Sequence, residues 1–418
     1  MHQPVRPTSF PIPSLVKRNT TLFALSQSFT GAGMQMAFGI GPLMVVALTG
    51  SAALAGLSVG MFGLSRFLVS YPVGKITDHY GRKPGIFFGL MLALVGALAV
   101  GSSMILHSIV ALVAGMLVFG MGMHAAQQLR VAATDMFPPQ MRAQALGYVA
   151  LGSLVGLVIG PIVITIAEQM APRIGQNPLG LPWLFLPVLI IGGMIIVSFV
   201  RPDPKEIGLN LQHYYPGYSP PARATTAAPE FRALNLLIDP QTRLAIVSNC
   251  AAQGNMSIVM VLTSLVFSHH GHSLSAIAFS HMFHSAGMFA FTIPLGRLAD
   301  RLGRTRVMYP GVAVALVGAG LVTFGGEMWS VTLGTFLVGL GWAAANVAAT
   351  ALIADRFDTS QRGRAIGVND SCAGAMSVLA AVVTGPLVDW AGLPAAGWTA
   401  VLIAVVPLAL RAATRTKT

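Results

Sequence analysis

The chain has 418 residues, 54% of them hydrophobic and 9% charged, with a mean hydropathy of +0.72. A soluble globular chain carries about 25% charged residues, so most of this length has no water-facing surface to furnish, and a soluble enzyme, chaperone or sensor is excluded. The formal net charge of +12 sits in short gaps between apolar runs, a pattern of membrane topology rather than of nucleic-acid binding.

Lys17 and Arg18 precede a long apolar run with no small-residue cleavage pattern, so a retained first helix is expected. A crossing needs about 20 apolar residues. The sequence predicts twelve such spans, at about 22–46, 54–74, 86–104, 109–129, 145–167, 181–200, 243–266, 276–296, 307–325, 329–352, 365–388 and 393–411. One long polar stretch, 201–242, holds "RPDPKEIGLN" and "YYPGYSPPARATTAAPE" and reads as a linker with one short amphipathic helix at 230–238. The expectation is an all-α polytopic membrane protein: a six-helix bundle at 1–200, a cytoplasmic linker at 201–242 and a second six-helix bundle at 243–418. Cys250 and Cys372 form no CxxC and are too few for a disulfide framework.

With the N-terminus cytoplasmic, every gap after an even span is basic. These gaps hold Lys75, Arg82 and Lys83; Arg142; Arg201, Lys205, Arg223 and Arg232; Arg297 to Arg306; and Arg356, Arg362 and Arg364. The far-side gaps hold little beyond Arg173. This asymmetry predicts both termini inside. The halves also repeat. "GKITDHYGRK" after the second span is echoed by "GRLADRLGRT" after the eighth, and "TDMFPPQMRAQALG" after the fourth by "ADRFDTSQRGRAIG" after the tenth. A duplicated six-helix unit places substrate near the midplane between its halves.

The GxxxDxxGRK loop and its echo resemble the signature loop of the major facilitator superfamily, and the resemblance extends through spans, linker and repeat. It implies a secondary transporter, no enzyme, and a monomer. Asp78 and Asp300 are expected to face a helix N-terminus, where negative charge is favoured, with Arg82 and Arg304 pairing with carboxylates at the same rim. In the family such contacts latch the inner side; the plainer alternative is that these charges only set topology. Arg130, near the end of the fourth span, also matches a family motif position. A charge in a span needs a partner, and Asp135 and Asp78 are its candidates, for coupling or for simple pairing. Gly147, Gly156, Gly160 and Pro161 partly follow a motif of drug/proton antiporters, although small residues at such spacing also serve close helix contact.

The seventh span carries Met256 and Met260, and the eighth carries His284 and Met288 within "FHSAGMF". Residues four apart share a helix face. Met260 lies about eight residues from the connecting loop and His284 about nine, near 12–14 Å deep, with Met256 and Met288 level with one another further in. Thioether and imidazole favour Cu(I) over ions that prefer oxygen, and no carboxylate cluster accompanies them. The loop "SHHGHS" puts His269, His270 and His272 at the outer mouth, as a metal-capturing cluster or as a polar turn. Methionine is a common core residue, so helix packing is the competing account of the four-residue set.

MxxxM in the seventh span with HxxxM in the eighth resembles the CcoA-like copper importers, a bacterial inner-membrane branch of the superfamily. The resemblance implies copper as cargo, without a resident cofactor, and Met256, Met260, His284 and Met288 as its ligands. Relatives of that architecture carry riboflavin or other organic solutes. In that case Gln35, Asn249, Gln253, Asn255 and Asn346 would line the cavity. A proton-coupled exporter of drugs or metabolites is the remaining alternative. Asp370 in the eleventh span is the candidate proton carrier, with Asn369 as an ordinary hydrogen-bond partner.

Overall fold

A computed structural model describes residues 10–138, 141–218, 232–357 and 359–415. Helix α1 (Ser14–Gly39) and helix α2 (Gly41–Thr49) form one span bent by 42°. Pro42 near the start of α2 has no N–H to give to the carbonyl four residues back, that of Phe38. The Ser264 hydroxyl from the other half of the chain donates to that carbonyl instead, at 3.4 Å. The first half continues with α3 (Leu57–Tyr80), α4 (Arg82–Ile105), α5 (Ile109–Ala126) running on into α6 (Gln128–Asp135), α7 (Arg142–Met170) and α8 (Leu181–Ser198).

The linker holds three short helices, α9 (Pro204–Leu209), α10 (Leu211–Tyr214) and α11 (Leu234–Ile238). The sequence predicts only one, at 230–238, and residues 219–231 lie outside the described ones. The extra order has a physical cause. The Asp203 carboxylate accepts from the Lys205 amide at the start of α9, at 2.9 Å, and from the Arg82 and Lys83 amides at the start of α4, at 3.1 and 2.9 Å. One negative side chain thus serves two helix N-termini. Tyr215 is fully buried, its hydroxyl donates to the Met136 carbonyl at 3.1 Å, and burial pushes its phenol pKa up. The first part of the linker is docked onto the first bundle.

The second half comprises α12 (Pro240–His269), α13 (Leu274–Ala290) bent by 41° into α14 (Thr292–Leu302), α15 (Arg304–Phe324), α16 (Met328–Arg356) and α17 (Thr359–Arg415). Among the described residues nine helices are long and apolar enough to cross a bilayer, and the two bent pairs raise the number to 11. Residues Ala365–Ala412 of α17 would measure roughly 72 Å as a straight helix, over twice the ~30 Å hydrocarbon core. The helix breaks at Gly392, with φ 77° and ψ 176°, into two segments each long enough for a span, and counting them separately brings the candidates among the described residues to the expected twelve. Val188, Leu379 and Leu402 stand 72%, 62% and 62% exposed, as lipid-facing positions must.

The repeat seen in sequence is a repeat in space. Gly81 (φ 106°) and Gly303 (φ 99°) occupy the same junction in the two halves, a backbone geometry that disfavours any side chain. Each is followed by an arginine: Arg82 pairs with Asp135 at 2.6 Å, and Arg304 pairs with Asp355 at 3.0 Å.

Candidate functional site

Between the halves lies a cavity of about 540 Å³. Helix α12 runs through the protein almost wholly buried and brings Gln253, Met256 and Met260 to the cavity wall. Helix α13 contributes His281, His284, Ser285, Met288 and Phe289. From the first half come Gln27, Met34, Gln35 and Phe38 on α1, Phe62 and Arg66 on α3, His124 on α5, Gln128 and Arg130 on α6, and Ser153 on α7. All four residues of the Met/His set therefore line one cavity, with Met256, Met260 and His284 at 6%, 4% and 2% exposure.

What fixes His284 is the contact of α13 with α16. A Cβ on Gly287 would lie 2.6 Å from the Phe336 carbonyl oxygen, and one on Gly339 would overlap the His284 carbonyl. With hydrogen in both places the backbones touch, and His284 Nδ1 donates to the Thr335 carbonyl at 2.8 Å. A carbonyl only accepts, so Nδ1 carries the proton in the neutral ring and Nε2 keeps its lone pair. Helices α12 and α13 are consecutive, yet α13 packs chiefly on α16 and α7 while α12 packs chiefly on α17 and α16. The glycines draw α13 to α16 and leave the two donor-bearing helices at the wall of a shared space.

The amides divide. Gln35, Gln253 and Asn346 line the cavity. Asn249 accepts from Asn346 Nδ2 at 3.1 Å, and the fully buried Asn255 donates to the Ala400 carbonyl at 2.9 Å. Neither of these two is part of the lining. Trp342 Nε1 donates to Gln253 Oε1 at 2.7 Å and holds that amide in place.

A profile of the Major Facilitator Superfamily matches residues 23–226 and 244–417. The chain belongs to this superfamily. It is a multi-pass membrane transporter of small solutes and not an enzyme. An uncharacterized MFS-type transporter of Bacillus subtilis (strain 168), YdeG, is 28% identical over 360 residues, 85% of this chain and 82% of that protein. The riboflavin transporter RfnT of Brucella anthropi is 25% identical over 408 residues, 94% of this chain and 96% of that one. Among solved structures, an inward-facing, unoccupied bacterial homolog of the human lysosomal transporter Spinster gives a TM-score of 0.71 at 14% identity over 95% of this chain and 96% of that one. The nucleoside transporter NupG gives 0.70 at 12% identity over 96% and 98%. Identities this low speak for the superfamily fold alone.

One motif residue of the superfamily fold, Arg130, has partners other than those the sequence suggests. Arg130 does not meet Asp135, which is taken by Arg82. It lines the cavity, donates to Ser153 Oγ at 3.3 Å, lies 5.9 Å from the Phe289 ring centroid and keeps a buried Nε without a partner. The reason is position: Arg130 lies on the cavity face of α6, whereas Asp135 ends that helix at the rim. The Asp78 side chain lies outside the described residues. Asp300 pairs with Arg304 one turn away, and the Arg82–Asp135 and Arg304–Asp355 pairs each lie within one half. Asp370 lines the cavity, as does Arg66, and accepts from Asn369 Nδ2 at 3.3 Å. The glycine face of α7 packs on α1: a Cβ on Gly156 would lie 2.9 Å from the Ser28 carbonyl oxygen.

At the α12–α13 loop, the His269 and His270 rings lie 5.4 Å apart. His270 Nδ1 bonds the Val266 carbonyl at 2.9 Å, and His272 Nε2 meets the Gly326 carbonyl at 3.4 Å. Among the described residues no three His, Cys, Asp or Glu side chains are grouped to hold a metal. On this same side the halves are in close contact. The Glu168 carboxylate on α7 accepts from the Leu274 and Ser275 amides at the start of α13, at 2.8 and 3.0 Å, and from the Ser275 hydroxyl. Gly56 and Gly385 abut the Ala381 and Ala53 carbonyls.

Sequence reasoning passed over Arg66, His124 and His281, all on the cavity wall. A lone arginine within a span was a usable signal. So was the placement of His281 three residues before His284, on the same helix face.

Proposed function

We propose that this transporter imports copper, as Cu(I), across the bacterial inner membrane by alternating access. The six-helix bundles at 1–200 and 243–418 move about the cavity, the 201–242 linker joins them, and both termini are cytoplasmic. The observation that carries the reading is that Met256, Met260, His284 and Met288 all reach one cavity. His284 is moreover held through Nδ1 with Nε2 left as a donor, the orientation that a second partner gives to metal-ligating histidines. Three thioethers and an imidazole suit a soft monovalent ion and suit hard divalent ions poorly. Copper is cargo here, passing through a protein that works as a monomer without a resident cofactor. Asp370, across from Arg66, is the candidate to carry a coupling proton. The Glu168 contact holds the outer side closed.

A second reading, transport of riboflavin or another flat organic solute, is favoured by the cavity itself. Its 540 Å³ exceeds what an ion requires, and Phe38, Phe62, Phe289 and Trp342 accompany the amides in its wall. The near full-length similarity to a riboflavin transporter points the same way.

Sulfur-specific substitution separates the two. Met256→Leu preserves volume at a cost of under about 1.5 kcal/mol and deletes the thioether. Cells expressing this variant, or His284→Ala, should lose copper accumulation at unchanged protein level. Unimpaired copper accumulation in both variants would remove these side chains from the copper path, and wild-type accumulation no higher than in cells lacking the protein would leave the organic solute.

A further inference from the structure

Beside the four donors stands a second imidazole. His281 is 1% exposed and lines the same cavity. Its Nδ1 bonds the Ile277 carbonyl at 2.9 Å, so Nδ1 carries the proton, and its buried Nε2 makes no well-directed hydrogen bond, the ring otherwise meeting the Met260 main chain. Buried polar atoms are nearly always satisfied, and one that is not calls for an explanation. The ring sits where three helices meet. It lies beside the Met260 main chain on α12, and a Cβ on Gly39 of α1 would stand 3.6 Å from Nδ1. Of the residues on α13 that line the cavity, it is the one nearest the loop side.

Depth sorts the donors into two levels. From the end of α12 at His269, Met260 is nine residues in and Met256 thirteen; from the start of α13 at Leu274, His281 is seven in, His284 ten and Met288 fourteen. At 1.5 Å per residue, Met260, His281 and His284 fall about 11–15 Å deep, and Met256 and Met288 about 20–21 Å. Five donors are too many for one Cu(I), which takes two to four. Divided by depth they make a set of one sulfur and two nitrogens above a pair of sulfurs.

We propose that His281 is a copper ligand, completing with Met260 and His284 an upper three-coordinate Cu(I) station from which the ion passes to Met256 and Met288. The proposal rests on the copper reading above. It adds a residue outside the MxxxM and HxxxM motifs, and it gives the His281 Nε2 a role. Both imidazoles of the station are held by carbonyls through Nδ1, so in both Nε2 keeps the lone pair that a copper ion would take. The lower pair, all thioether, receives the ion deeper in the cavity. No redox step is involved, because copper enters and leaves as Cu(I).

The test uses the full-length protein in lipid nanodiscs, with Cu(I) titrated against bicinchoninate and X-ray absorption recorded at one equivalent. Wild type should bind Cu(I) with two nitrogen scatterers at the copper. His281→Asn should lose one of them and weaken binding by about tenfold or more. Met288→Leu should keep both nitrogens. Should His281→Asn misfold, His281→Gln with matched size-exclusion behaviour is read in its place. Wild-type affinity and an unchanged nitrogen count in the His281 variant would overturn the proposal while leaving copper transport standing. Absence of Cu(I) binding by wild type would overturn both.

Discussion

Replacing Glu168 with alanine should let the outer ends of the two halves part. The side chain is half-buried on α7, and its carboxylate takes three hydrogen bonds from the first turn of α13: the Leu274 amide at 2.8 Å, the Ser275 amide at 3.0 Å and the Ser275 hydroxyl. Hydrogen bonds to a charged group contribute about 1.5–3 kcal/mol each when sheltered. Water can reach this site and replace part of that gain, so a net bias of about 2 kcal/mol is expected, or roughly 30-fold in the closed-to-open ratio. The assay is a spin-label distance distribution in nanodiscs between Arg173→Cys and His269→Cys, with Cys250→Ser and Cys372→Ser as background. Wild type should give mainly a short distance, and Glu168→Ala a large second population at longer distance. Gln169→Ala, at an exposed neighbouring position, should change nothing. Identical distributions for wild type and Glu168→Ala would refute the reasoning.

The paired arginines should differ in weight. Arg82 and Asp135 are 19% and 23% exposed, whereas Arg304 works against Asp300 and Asp355 at 63% and 57%. Arg82→Ala should therefore lower the thermal midpoint more than Arg304→Ala, whose partners are largely in water; scanning fluorimetry in detergent reads both. Gly339→Ala would drive a Cβ into the His284 carbonyl. It should cost about 1–3 kcal/mol and depress copper uptake by shifting α13, which a thermal midpoint equal to wild type would contradict. Asp203→Ala removes the shared cap of α4 and α9 and should speed proteolysis near residue 205, compared with Glu206→Ala as control.

The span count, the linker position and the duplicated loops were legible because they depend on composition and period. Apolar length marks a span whatever it packs against, and "GRK" recurs as "GRT" where Gly81 and Gly303 make the same turn. The bends were written more faintly: Pro42 follows the break in the first span, and Pro294 lies just past the break at Phe291 in the eighth. The docking of the linker was hidden, because Asp203 finds its second helix 120 residues away. Partner choice at Arg130 was misjudged for a similar reason. Sequence spacing favoured Asp135, but only the turn of α6 decides that one faces the cavity and the other the rim. That Met256, Met260, His284 and Met288 share one region was legible by helical spacing, while His281 and Arg66 acquire meaning only once the cavity is drawn around them.

The central claim is that copper passes through this cavity. The most direct measurement is uptake by purified protein in proteoliposomes, with radioactive copper kept as Cu(I) by ascorbate and radioactive riboflavin supplied to the same vesicles. The account predicts saturable, protein-dependent copper accumulation, lost in Met256→Leu, and riboflavin entry at the rate of empty vesicles. Riboflavin accumulation with copper at the empty-vesicle rate would contradict it.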